Sequence, residues 1–119
     1  MNQFDRALPE AERAMTLAQR GDDKQQLARV LQVIGVAQRY SGASGSARKT
    51  LYHCVEPARR GDYYDTLFSA YFHIWQLDRE TGERGIGGIE RILRSMLTKL
   101  DEPLEEAEVF KGMGGGEEQ

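Results

Sequence analysis

Cys54 is the only cysteine among 119 residues, so no internal disulfide can form, which suits a reducing compartment. The start, Met1 to Arg6, has no basic region followed by an apolar run, and so does not read as a secretory signal. No apolar stretch approaches the length needed to cross a bilayer. Basic residues do not dominate either. Sixteen Lys and Arg stand against nineteen Asp and Glu, a net charge of −3. That balance lacks the footprint of phosphate-backbone binding and argues against nucleic acid as a partner. No Cys-x-x-Cys or His-Glu-x-x-His spacing is present, so no metal or cofactor site is expected. The glycines between Gly82 and Gly88 precede a helix but lack the strand and the Lys-Ser/Thr of a phosphate loop. These absences leave a soluble, cytoplasmic, non-membrane protein as the expectation.

What is present is a period. Arg20-Gly21-Asp22 is echoed by Arg60-Gly61-Asp62, an offset of 40 residues. The same offset joins Gly42 to Gly82, Gly45 to Gly85 and Ala7 to Ala47. Self-similarity at this spacing is the mark of stacked helical units.

Apolar residues recur at three- and four-residue steps in five stretches. Residues 3–20 carry Phe4, Leu8, Ala11 and Met15, with Pro9 kinking or starting the helix. Residues 24–40 carry Leu27, Leu31, Ile34 and Ala37, with Asp22 or Asp23 as cap. Gly35, in mid-helix, costs about 1 kcal/mol relative to Ala, and close approach of a neighbour is the usual reason to accept that. A third helix runs from a Ser44 or Ser46 cap to about Arg60, with Gly61 ending it and Asp62 capping the next. Residues 63–80 hold the aromatic density. A fifth helix, ordered from near Gly88, carries Ile89, Leu93 and Met96. Leu104 to Lys111 has the content for two helical turns. Residues 102–119 as a whole nevertheless read as an acidic, glycine-rich flexible tail after a 1–101 helical domain.

The chain resembles a tetratricopeptide (TPR) repeat array, in the longer-unit form found in bacterial regulators. Leu31, Ile34 and Gly35 match its first-helix signature, and Ala47, Leu51 and Cys54 its second. Tyr71, Ile74 and Trp75 fall in register in the next unit, where Trp75 and Gly87 depart from the pattern. The resemblance covers roughly residues 3–100. It implies an all-α fold: antiparallel helix pairs stacked as a short superhelix of about five helices. It also implies a protein- or peptide-binding scaffold or sensor segment rather than an enzyme. Structural oligomerisation is the alternative function, with self-association through terminal helices. A small helical enzyme or metal protein comes after that.

In this family, ligands lie in the concave groove lined by the first helix of each unit. The resemblance therefore implies Arg29, Gln32, Val36, Arg39 and Tyr40 as partner-binding residues in one unit. In the next it implies Ser69, Phe72, Gln76 and Arg79, with Glu80 beside them. Three arginines and two glutamines along one channel suit a peptide carrying carboxylates. The plainer reading is that these are solvated faces of amphipathic helices. The Lys/Asn clamp some members use for a C-terminal carboxylate is absent.

Of the aromatics between Tyr63 and Trp75, most should be core, with Tyr63 and Phe72 partly exposed. His53 and Cys54 are neighbours whose side chains diverge by about 100° on a helix, so they make a poor base and nucleophile. Cys54 reads as a small core residue. A metal site joining His53, Cys54 and His73 lacks ligand spacing. No catalytic residue is expected.

Overall fold

The computed structural model describes residues 23–82, 86–100 and 102–113, together with Arg13 and Thr16. Apart from Arg13 and Thr16, the helix expected over 3–20 lies outside the described residues, as do the glycines at 114–116. The fold is all-α, with no strand among the described residues. Among the described residues five helices follow in order: α1 (Lys24–Tyr40), α2 (Ser44–Arg60), α3 (Tyr64–Thr81), α4 (Ile86–Met96) and α5 (Glu105–Gly112). A single 3₁₀ turn, Leu97–Lys99, extends α4.

Local chemistry sets most of these limits. The Asp23 carboxylate accepts the Gln26 N–H at 3.0 Å and so caps α1. Gly42 (φ 90°) and Gly82 (φ 74°) take the left-handed conformation that ends a helix at no steric cost. The α2–α3 corner differs from expectation. Gly61 ends α2 at φ −93°, and the left-handed residue is Asp62 at φ 56°. Aspartate tolerates that region better than most L-residues. The residue before α3 is then Tyr63, which supplies no side-chain cap, and Asp62 does not cap the helix. Nor do serines cap α2: Ser44 is already its first residue, and Ala43 precedes it. Helix α4 begins at Ile86, two residues before the expected ordered start.

α1 and α2 pack as a close pair, and Gly35 shows why. A Cβ built there would stand 2.6 Å from both Cγ and Cδ2 of Leu51, a fully buried residue on α2. Cys54 Sγ donates to the Ala28 carbonyl at 3.2 Å across the same seam. Burial pushes the Cys54 thiol up to about 12, so it stays protonated as a core group. His53, by contrast, is exposed.

α3 is the centre of the molecule, since it packs against α1, α2, α4 and α5. Ten of its eighteen residues are buried, which explains a sequence apolar on several sides. Phe68, Ile74, Trp75 and Leu77 are core, as expected of the aromatic stretch. Phe72 is core too, 4% exposed, where partial exposure was expected. Asp78 is fully buried on the α2 side and accepts from Arg48 Nε at 2.9 Å.

Residues 105–112 depart from the expected flexible tail. They form α5, and Phe110 is fully buried edge-on to Phe68 (5.9 Å between centroids) and Trp75 (5.0 Å). One fully buried aromatic with two ring partners overcomes the low intrinsic order of a two-turn helix.

Candidate functional site: a cleft between three helices

Side chains of α1, α3 and α5 converge on an open cleft of about 320 Å³. Gln32, Val36, Arg39 and Tyr40 come from α1, at the three- and four-residue steps that define one helix face. Phe72, His73 and Gln76 come from α3, and Glu105, Glu106 and Val109 from α5.

Two polar chains hold the walls together. In the first, Gln32 Nε2 donates to Ser69 Oγ at 2.9 Å, and Ser69 Oγ donates to Glu106 Oε2 at 2.7 Å. Both bonds span 37 residues of sequence, so α5 meets α3 at the step by which α3 meets α1. In the second, Arg39 Nη2 donates to Glu80 Oε1 at 3.1 Å, while Nη1 lies 2.8 Å from His73 Nδ1. A guanidinium has donors only, so His73 Nδ1 must accept and the ring proton sits on Nε2. That nitrogen faces Glu106 Oε2 at 3.7 Å, which links the two chains.

Glu106 is therefore the junction. Its carboxyl is held down to about 2, first by the His73 N–H directed at it, with the Ser69 hydroxyl adding to the effect. Desolvation works in the opposite direction and loses. His73 is 5% exposed and Ser69 2%, so the junction is a buried polar network with named partners.

Six residues named from the sequence line this cleft: Gln32, Val36, Arg39, Tyr40, Phe72 and Gln76. Ser69 lies beneath it in the hydrogen-bond chain. The other two arginines are elsewhere. Arg79 stacks its guanidinium on Trp75 at 4.8 Å and reaches Met113 Sδ at 3.8 Å. Arg29 borders a separate depression of about 170 Å³ beside Asp62 and Asp65. The three arginines thus do not form one channel.

Sequence reasoning misses His73, Glu105, Glu106 and Val109 as cleft residues. His73 draws attention only as a metal ligand, and the α5 segment reads as tail. The Leu104–Lys111 pattern is the available signal for the third wall.

Among the described residues, no group of three or more His, Cys, Asp or Glu side chains is placed to hold a metal ion. No described helix is long and apolar enough to cross a membrane. No protein-family model, no curated protein and no solved structure matches this chain.

Proposed function

We propose that the chain is a protein- or peptide-binding module of the tetratricopeptide type, which holds its partner in the cleft between α1, α3 and α5 and performs no chemistry itself. One observation carries the reading: six side chains that the sequence marks as groove residues line a single open cleft. The two hydrogen bonds Gln32–Ser69 and Ser69–Glu106 add support, because they tie the three walls of the cleft to one another. Several helices of fixed relative placement give the rigid backbone that groove recognition needs, and the polar chains fix the rotamers of its walls. Gln32, Gln76, Tyr40 and Val36 offer donors, acceptors and apolar area at the rim. The buried, protonated Cys54 thiol suits a reducing compartment such as the cytoplasm.

Selection of a random peptide library against the full chain tests the proposal. Selected peptides should lose about fivefold to thirtyfold in affinity with Tyr40→Ala or Gln76→Ala, the range of an interface residue worth about 1–2 kcal/mol. Peptides indifferent to both substitutions would bind elsewhere and refute it.

A further inference from the structure

We infer that the cleft admits a cationic side chain of its partner, a lysine or arginine with an apolar neighbour, and not a carboxylate. This rests on the reading of the cleft as a partner-binding surface and adds its charge preference.

Among the described residues, Arg39 is the arginine that lines the cleft. It is 13% exposed, and its two terminal nitrogens are engaged by His73 and Glu80. Its Nε–H is buried, and Glu80 already neutralises its charge, so this cation presents little to a carboxylate ligand. The facing wall has the opposite character. Glu105 is exposed and has no ion-pair partner among the described residues. Glu106 also lines the cleft, with Oε2 accepting from Ser69. Its depressed ionisation keeps it charged at any physiological pH.

Among the residues that line the cleft, one cation, itself paired with Glu80, thus stands against two carboxylates, Glu105 and Glu106. The helix ends do not alter the balance. α1 finishes at Tyr40 and α5 starts at Glu105, so about half a negative and half a positive charge meet there and cancel. The remaining surface suits the rest of a long basic side chain. Tyr40 is 57% exposed and already carries the Arg39 guanidinium over its ring at 5.1 Å, and its exposed area and that of Val109, 43% exposed, offer apolar surface to the stem.

Two short synthetic peptides, one alternating Lys and Leu and the other alternating Glu and Leu, test this against the full chain by NMR. The lysine peptide should shift the Val36 and Val109 methyls and the Gln76 side-chain amide. Its affinity should fall about threefold with Glu105→Gln and about tenfold with Glu105→Lys. It should also weaken as salt rises from roughly 50 to roughly 500 mM. The glutamate peptide should leave those resonances in place. Equal or tighter binding of the glutamate peptide at the cleft overturns the inference, as does a lysine peptide indifferent to Glu105→Lys. Glu105 is exposed, so these variants should fold. Should Glu105→Lys not fold, Glu105→Gln and the salt dependence of the unaltered chain decide the matter. Library peptides that need Tyr40 and Gln76 yet carry acidic side chains would overturn this inference and leave the binding reading standing. If no peptide of either kind depends on the cleft, both fall.

Discussion

Gly35→Ala should destabilise this protein, although alanine is the better helix former. In an exposed helix interior the change would gain about 1 kcal/mol. Here the new methyl would stand 2.6 Å from Leu51 Cγ and Cδ2, well inside contact distance. Leu51 is fully buried, so it has no open space to move into. Overpacking of this kind costs about 1–3 kcal/mol, and two close contacts against a packed neighbour place it at the upper end. The net loss should be about 2 kcal/mol, a melting temperature lower by several degrees. The sharper test is a double-mutant cycle. Leu51→Ala alone should cost about 3 kcal/mol by leaving a cavity. In that background the two atoms at 2.6 Å are gone, and the backbone nitrogen of residue 51 lies at an ordinary 3.5 Å from the methyl added at position 35. The same glycine substitution should then stabilise, by about 1 kcal/mol. Urea unfolding followed by circular dichroism and Trp75 fluorescence measures all four proteins. An effect of one sign in both backgrounds would refute the close α1–α2 approach.

Phe110→Ala should cost about 3 kcal/mol and, unlike a generic core lesion, speed hydrogen exchange first at the amides of 105–112. Unchanged protection of α5 would contradict its anchoring through that ring. Glu106 ionises at about 2 in the folded chain, below its ordinary 4.5. The unfolded chain takes up the proton first on acidification, so this contribution to stability is complete above about 4.5 and fades as pH falls towards 2. Glu106→Gln should flatten that part of the pH–stability curve, and an unaltered curve would count against the junction with His73 and Ser69. Cys54 should react with a thiol reagent only as the chain opens, because it is buried and protonated. A rate independent of stability would refute this.

The helices were legible because their punctuation is local. Asp23, Gly42 and Gly82 act within one turn of themselves, and α1 runs over the residues expected of it. At the α2–α3 corner Gly61 ends α2 as expected, but Asp62 takes the left-handed position instead of capping α3, and a sequence in which both can turn the chain does not show which will. Six of the groove residues that the resemblance implied line one cleft, since three- and four-residue steps keep them on one face of α1 or α3. The third wall was not. Leu104 to Lys111 is too short and too acidic to order alone, and only contact with Phe68 and Trp75 decides its state. The electrostatics were the least legible part. Arg29, Arg39 and Arg79 look equivalent along the chain, and only the folded geometry separates them: one borders a separate depression, one is held by His73 and Glu80, and one lies on an indole.

A serine hydroxyl has one proton to give. Ser69 directs its proton to Glu106, so only its lone pairs remain for Gln32, which must present its NH₂ end there and turn its oxygen the other way. The outlook of an amide on α1 is thereby decided by a carboxylate on α5, through an atom that never reaches water. Whatever neutralises that carboxylate frees the hydroxyl to rotate and the amide to flip. One side of the cleft would then exchange an acceptor for a donor while every helix stays where it is.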